Sequence, residues 1–288
     1  MSDYREDNNG NNREERQQYE GFTKIDKTFS IGSRDGRSMV GAKIVSHPLS
    51  YVANSQNASK MEMFLQSQLN VRVKRLEVTM KNGEILCETG TFQASMGRIS
   101  LDRFRLDTKS LANSFFSKTS GGSNDTFFKQ RISGTGKVLL KDTTEYLLDL
   151  ELGSPTRVTF EKGAFYAAMG DFEVGLTVDA SVSNVMLSSR NKILPSVYGM
   201  GRVVLESPVN TNELVRIRVK RGEPAMVDDD CVIARVGDVT SKERLSGGLM
   251  TSMMNKTGLV TRYEGNGYLI VAPSLGLYEI EKTPYEQE

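Results

Sequence analysis

Short apolar runs alternate with polar residues along most of the chain, and turn-forming residues separate them. In the segment that follows Lys137, the side chains of Val138, Leu140, Leu148 and Leu150 fit a period of two, which is typical of a strand with one buried face. Glycine, asparagine and serine lie between such runs, and strong helix signals are scarce. The pattern predicts an all-β domain with few short helices.

The two ends of the chain lack this alternation. Residues 1–20 are almost wholly polar, so they cannot bury enough apolar surface to offset the entropy of ordering. The whole chain has 288 residues, 38% of them hydrophobic and 25% charged, which is enough for a sizeable core. We predict a disordered polar tail over residues 1–20, a single repeat domain over 21–281 and a short tail over 282–288.

Two sequence markers recur in alternation. The segment GTGKVLLKD recurs as GMGRVVLES and, more loosely, as GNGYLIVAP, while ETGTFQASMGR recurs as EKGAFYAAMGD and DDDCVIARVGD. In the second marker, Asp230 stands where Gly90 and Gly163 stand in the other copies. Because Asp tolerates positive φ better than most residues, we expect the same tight turn there. One copy cannot bury both faces of its sheet, so we predict that three degenerate repeats pack around a common core with pseudo-threefold symmetry.

The sequence around Gly134, Gly136 and Lys137 resembles part of a phosphate-binding loop. Such a loop needs a glycine five residues before the Gly-Lys pair and a hydroxyl residue after the lysine, but Arg131 and Val138 hold these positions. A strand pattern follows instead of a helix. We therefore expect the glycines to be strand-entry bends that let two backbones pass closely.

Net charge and cysteine content argue against several classes of protein, including those that bind nucleic acid through a global charge and those built on disulfides. The formal net charge is +1, so contact with nucleic acid or an anionic membrane would have to rest on a local patch. Cys87 and Cys231 are too few for a metal cluster or a disulfide framework. Both lie in strand patterns, where a buried thiol behaves as a small hydrophobe, and a reactive thiol is the less favoured alternative. No apolar stretch of about 18 residues is present to span a bilayer. We expect an intracellular, reducing setting.

Candidate catalytic and metal-ligating residues are few. The single histidine, His47, precedes Pro48 and lies outside the repeats, which favours a surface or turn position over a catalytic triad. Asp228, Asp229 and Asp230 could be offered as ligands of a hard cation, but their register with the other copies favours a solvated turn. We predict no catalytic, cofactor-binding or metal-binding residues, and no enzyme activity.

Basic residues alternate with apolar ones in VRIRVKR, residues 215–221, so that one face of the predicted strand is cationic. An earlier basic strand, VRVKRLEV, could join it in one patch. Such a face could contact RNA phosphates or simply keep a sheet soluble, and the lack of interleaved aromatic residues favours solubility. The candidate binding residues are Arg72, Lys74, Arg216, Arg218 and Lys220.

A methionine-rich stretch at 241–258 is the one helix candidate. Its apolar residues share a helical face, which could cover the open end of the β core or contact a partner or a membrane surface. The candidate contact residues are Leu245, Leu249, Met250 and Met253.

Taken together, the markers GEILCETGTFQASMG, GTGKVLL, KGAFYAAMG, GMGRVVLES, VDDDCVIARVGD and TRYEGNGYLIVAPS resemble the family named for mitochondrial biogenesis, altered inheritance of mitochondria protein 24. The resemblance covers roughly residues 60–275 and is to a prokaryotic-type member. It implies a β-sandwich of repeated units similar to the tryptophan RNA-binding attenuation protein, with no established catalytic residues. The fungal member's association with the mitochondrial inner membrane implies a role in membrane organisation.

These observations favour a non-enzymatic β-scaffold that acts through protein–protein contacts, as an assembly or envelope-organisation factor. The alternative is a ligand- or RNA-binding regulatory module of the attenuation-protein type. We expect protein partners or self-association, no cofactor, and peripheral membrane contact as a further option. Because residues 1–20 contain both Asp and Glu, they do not resemble a mitochondrial presequence. A bacterial, cytoplasmic protein is therefore favoured, with a mitochondrial location expected only for a eukaryotic source.

Overall fold

Antiparallel strands make up almost all of the described chain, which confirms the predicted all-β class with few short helices. Among the described residues, two single 3-10 turns form at Thr211–Glu213 and Asp229–Cys231, and the last described residue, Leu275, is helical. None of the described residues forms a helix long and apolar enough to cross a membrane. The computed structural model describes residues 23–32, 36–48, 72–105, 128–161, 163–178, 193–243 and 260–275.

Twelve strands of the described residues join in one hydrogen-bonded sheet. The main path runs β1-β2-β3-β7-β8-β6-β11-β12-β10, with β5 also on β3, β4 on β5, and β9 on β12. The strands are β1 (Lys24–Gly32), β2 (Met39–Pro48), β3 (Arg72–Glu88), β4 (Phe92–Arg105), β5 (Phe128–Leu140), β6 (Tyr146–Phe160), β7 (Phe165–Val178), β8 (Ile193–Ser207), β9 (Val215–Val219), β10 (Ala225–Asp228), β11 (Val232–Glu243) and β12 (Val260–Val271).

The alternation in the sequence corresponds to alternating burial along the strands. In β5, Val138 and Leu140 are fully buried, while Lys137, which directly precedes Val138, is exposed. In β6, Leu150 is fully buried, and its neighbour Glu151 is exposed. Burial of apolar side chains on one face of each strand supplies the main driving force for the sheet.

Buried side chains form three clusters that follow the order of the strands. One cluster, which includes Leu76 and Val138, lies among β1, β2, β3 and β5 and extends to β7 and β8. A second, which includes Phe160 and Leu205, lies mainly among β6, β7, β8 and β11. A smaller one around Tyr263 lies among β9, β11 and β12. Buried apolar side chains thus occur along the whole sheet rather than in one hairpin.

The N-terminal strands β1 and β2 lie outside the sequence repeats but are fixed to them. β2 pairs with the first part of β3, and Lys27 Nζ of β1 lies 2.6 Å from the buried carboxylate of Asp149 on β6. Arg202 of β8 donates to the same carboxylate at 2.6 Å and lies 4.8 Å from the ring of Phe29. Charge pairing therefore connects β1 to the middle of the sheet.

The marker glycines face one another across three antiparallel ladders, β4–β5, β7–β8 and β11–β12, which we call the glycine-paired ladders. A Cβ at Gly201 would stand 2.2 Å from the carbonyl oxygen of Met169, closer than any side chain tolerates. Glycine is therefore required because the two backbones approach closely. The opposed pairs are Gly97 and Gly136, Gly170 and Gly201, and Gly237 and Gly267.

Two details differ from the sequence-based expectation. The Gly-x-Gly segments are not strand entries: β5 begins at Phe128, well before Gly134, because a glycine inside a strand can bend it without ending its ladder. Asp230 also does not adopt the positive φ of Gly90 and Gly163. It lies in a 3-10 turn, in which its N–H donates to Asp228 Oδ1 at 3.3 Å. This turn is therefore stabilised by a side-chain hydrogen bond and needs no residue with positive φ.

Several predictions fall on residues outside the described ranges. These are the tails at 1–20 and 282–288 and the contact residues Leu245, Leu249, Met250 and Met253 of the predicted helix. The first three residues of that stretch, 241–243, are described and correct the prediction, because they end strand β11 and pair with β12. The pseudo-threefold packing of three repeats and the likeness to the attenuation protein also stay predictions.

Candidate interaction surfaces

The basic face predicted on residues 215–221 is exposed on β9. Arg216, Arg218 and Lys220 all face solvent, whereas Val219 is fully buried in the cluster around Tyr263. The alternation arises because β9 lies on β12 with one face against the core. The structure therefore presents three cations side by side on one strand face.

An open cleft of about 280 Å³ adjoins this basic face. Two of its cations are paired with carboxylates: Arg262 Nε lies 2.6 Å from Glu264, and Lys220 Nζ lies 3.2 Å from Glu223. The Lys220–Glu223 pair is exposed, and exposed pairs are weak, so a ligand anion could displace Glu223 from Lys220. The lining residues are Lys220, Arg221, Gly222, Pro224, Arg262, Glu264 and Gly265.

One aromatic side chain lies beside the basic face. Tyr268 on β12 is directly opposite Arg218, and the guanidinium of Arg216 lies 5.5 Å from its ring centroid. Burial raises the pKa of Tyr268, and Arg216 opposes the rise, so the phenol is neutral at physiological pH. The pattern in VRIRVKR does not indicate Tyr268, because this residue reaches the basic face from another strand.

The basic residues of β3, unlike the solvent-exposed ones of β9, pack against other groups of the sheet. Arg72 donates to the side chain and the carbonyl of Ser46, at 3.0 and 2.8 Å. The Lys74 ammonium lies 4.0 Å from the ring centroid of Tyr146, and burial lowers its pKa. These cations pack against their own domain. Along the sheet, β7, β8, β6, β11 and β12 separate β3 from β9, so the two predicted groups do not lie on neighbouring strands.

The residues of β4 that precede its marker glycine are exposed, unlike their counterparts in the other two ladders. We call Ala94–Met96 the β4 edge; in the described part of the chain, β4 pairs with β5 alone. Met96 is 68% exposed, whereas Met169 and Val236, at the same place before their glycines, are 0% and 2% exposed. The sequence signal was Gln93, a polar residue where β7 has a buried tyrosine.

A second exposed edge lies on β10, the last strand of the sheet path. We call Ala225–Val227 of β10 the β10 edge. Met226 at its centre is 56% exposed, and among the described residues the strand is hydrogen-bonded to β12. Large apolar side chains on strand edges are a feature of association surfaces.

Cys87 lies in a buried site with unusual charge. Its thiol is fully buried, and burial raises its pKa to about 12. The adjacent ammonium of Lys129 pairs with Glu88 and lies 4.9 Å from the ring centroid of Phe165. A protonated, enclosed thiol is a poor nucleophile, so the arrangement fits a structural role for Cys87.

The other candidate chemical groups are dispersed. His47 Nδ1 lies 3.2 Å from the carbonyl of Pro48, and its Nε2 lies 3.4 Å from Asp142. Asp228 ends β10 and accepts from the backbone of Asp230, as expected for a turn. Within the part of the chain that the structure describes, no three His, Cys, Asp or Glu side chains are arranged to hold a metal ion.

Comparison with known proteins agrees with the resemblance seen in the sequence. Residues 141–274 match the family model described as mitochondrial biogenesis AIM24, a range that contains β6 to β12. The crystal structure of protein SPYM3_0169 from Streptococcus pyogenes is similar, with 20% identity, a TM-score of 0.47, and coverage of 70% of this chain and 88% of that one. No curated protein matches the chain significantly. Over residues 141–274, the chain is similar to the mitochondrial biogenesis AIM24 family.

Proposed function

We propose that the chain is a non-enzymatic β-scaffold that acts through protein–protein contacts. The β4 edge carries this proposal. Its residues are exposed although the corresponding residues of β7 and β11 are buried by a neighbouring strand. A strand edge offers free backbone donors and acceptors that an incoming strand can pair with.

The family match supports a role in assembly or membrane organisation. A mitochondrial biogenesis family is consistent with an assembly or membrane-organisation factor, and we propose this role for the chain. A reducing, cytoplasmic setting and peripheral contact with a membrane are part of the proposal. Cys87 is a free, buried thiol, which fits such a setting.

Photo-cross-linking in cells tests the proposal. A photoreactive residue in place of Ser95 should give cross-linked species, because the β4 edge faces a partner. The matched control replaces Asp171, which is also exposed but lies on β7 opposite Met200 of β8. Equal, background-level cross-linking at both positions would contradict a scaffold that uses this edge.

A second candidate function is a ligand- or RNA-binding regulatory module, favoured by the β9 face and its cleft. Arg216 and Arg218 are exposed beside Tyr268, which places cations and one aromatic ring together. Phosphate contacts of this kind weaken steeply as salt increases.

Fluorescence anisotropy with a single-stranded RNA tests this alternative. Binding at low salt should fall when Arg216→Ala and Arg218→Ala are combined. It should persist when the exposed Lys141 and Arg157 are changed to alanine, a pair that removes the same charge elsewhere. An absence of binding by the unmodified protein at low salt would contradict the RNA-binding candidate.

A further inference from the structure

The same junction between strands occurs twice within the described chain. Ile85–Cys87 of β3 pair antiparallel with Ala167–Met169 of β7. Val158–Phe160 of β6 pair in the same way with Ala234–Val236 of β11. In both junctions, the second strand contributes the three residues immediately before its marker glycine. In two of the three glycine-paired ladders, β7–β8 and β11–β12, one strand is thus covered by a strand from outside the ladder.

In β3 and β6, the residues of the junction cover a strand of a glycine-paired ladder. The β10 edge occupies the corresponding position beside the third ladder. Ile85 and Val158 are the first residues of the two junctions. Each of them also pairs with a second strand, at the residue two positions before the first glycine of that strand's Gly-x-Gly segment. Ala225 pairs with Tyr263, the residue at that same position in the third ladder. Ala225–Val227 therefore correspond to the covering residues of β3 and β6.

The covering position of β10 is unfilled in the described structure. Met226 is 56% exposed, whereas its counterparts Leu86 and Thr159 are each 3% exposed. This difference in exposed fraction is expected when Leu86 and Thr159 lie on strands paired with a neighbour and Met226 lies on a strand edge without one.

The β4 edge has the register of a third covered strand. Ala94–Met96 stand immediately before Gly97, as the covered residues of β7 and β11 stand before their glycines. Among the described residues, β4 and β10 are not hydrogen-bonded to each other. One chain therefore presents both halves of the third junction, each at a different edge of its sheet.

We propose that the β10 edge of one copy of this chain pairs antiparallel with the β4 edge of a second copy. The register of the two internal junctions places Ala225 opposite Met96, Met226 opposite Ser95, and Val227 opposite Ala94. This inference rests on the proposed scaffold function and identifies the partner as the chain itself. Because the two edges differ, the contact is heterologous and generates rings or open chains of copies.

Charge complementarity extends the contact beyond the three residue pairs. Continuing the register by two residues places Glu223 opposite Arg98. Both residues are exposed, and Glu223 forms only a surface pair with Lys220, at 3.2 Å. A ladder this short buries less area than a permanent interface needs, so association should depend on protein concentration.

Disulfide trapping between two singly substituted chains tests the proposal. One chain carries Ser95→Cys and the other Met226→Cys, both with Cys231→Ser. Directly opposed residues of an antiparallel ladder lie within disulfide range. A mixed disulfide should form on mild oxidation, and Leu101→Cys in place of Ser95→Cys should abolish it, because Leu101 is exposed on the same strand but out of register.

A charge exchange gives an independent readout in sedimentation velocity. Arg98→Glu and Glu223→Arg should each weaken association, and the double variant should restore it, provided that circular dichroism shows each variant to be folded. Failure of the mixed disulfide to form, or a disulfide that forms only within a doubly substituted chain, would overturn pairing between copies. Neither result would affect a scaffold that binds another protein, which the cellular cross-linking at position 95 detects separately.

Discussion

Gly136 lies directly opposite Gly97 in the β4–β5 ladder, and a Cβ at Gly136 would stand 2.2 Å from the carbonyl oxygen of Met96. That oxygen belongs to the backbone, so it cannot move aside as a flexible side chain would. The same relationship recurs in the other two glycine-paired ladders. These glycines therefore maintain the close approach of strands on which the β4 edge depends.

Gly136→Ala should lower the free energy of unfolding by roughly 3 kcal/mol or more, which is toward the severe end of single substitutions. The control is Gly153→Ala, where a Cβ would meet nothing within 4 Å and the change should stay within about 0.5 kcal/mol. Urea denaturation measures both. Equal, small losses would show that the ladder tolerates a side chain at its closest point.

The hydroxyl of Tyr166 connects two parts of the sheet. It donates to the carbonyl of Lys141 at 2.7 Å and accepts from the N–H of Leu76 at 3.3 Å. Tyr166→Phe leaves the buried N–H of Leu76 and the partly buried carbonyl of Lys141 without this partner, so we expect a loss of about 2 kcal/mol in unfolding free energy. Tyr198→Phe, at an exposed position, should be neutral. Equal stability of the two variants would rule out the connection.

The two thiols should react at very different rates. Burial raises the pKa of Cys87 to about 12, so its reactive thiolate is scarce at mildly alkaline pH. Cys231 is only partly buried. A thiol reagent should therefore modify Cys231 in the folded protein and Cys87 only after unfolding. Cys87→Ala and Cys231→Ser assign the two phases, and rapid labelling of folded Cys231→Ser would contradict the buried placement.

Glu206 should make stability depend on pH. Burial raises its pKa, the carboxylates of Glu145 and Glu88 add to the rise, and a hydrogen bond from Thr143 opposes it. Ionisation therefore costs more in the folded state than in the unfolded state, and this cost is present at neutral pH. Glu206→Gln should raise the melting temperature at pH 7.

That gain should disappear as the pH falls below 4.5, the ordinary pKa of glutamate, because both states are then protonated. Glu173→Gln, on the exposed part of β7, should change little at any pH. A gain from Glu206→Gln that is larger in acid than at neutral pH would contradict the assigned cause.

The alternation of apolar residues was sufficient to predict the all-β class, and the alternation in VRIRVKR was sufficient to predict the exposed face of β9. Both are local properties, since successive strand residues point to opposite faces. The position of Tyr268 beside Arg216 and the pairing of Lys27 with Asp149 could not be predicted. Each joins residues that are distant in sequence, and only the order of strands brings them together.

The exposed β4 edge shows the same limit more sharply. Met96 and Met169 occupy equivalent places in similar sequences, yet one is exposed and the other fully buried. The difference depends on whether a neighbouring strand covers the position, which a single repeat does not encode. Gln93 was the local sign that β4 differs.

The central claim is that the β4 edge is a protein-binding surface. Native mass spectrometry of gently purified protein, compared with the variant Met96→Lys, tests it most directly. A lysine should resist an incoming strand at this exposed site without disturbing the core. We expect complexes above the mass of one chain for the unmodified protein and a shift to single chains for Met96→Lys. Single chains in both samples, or complexes unchanged by the substitution, would contradict it.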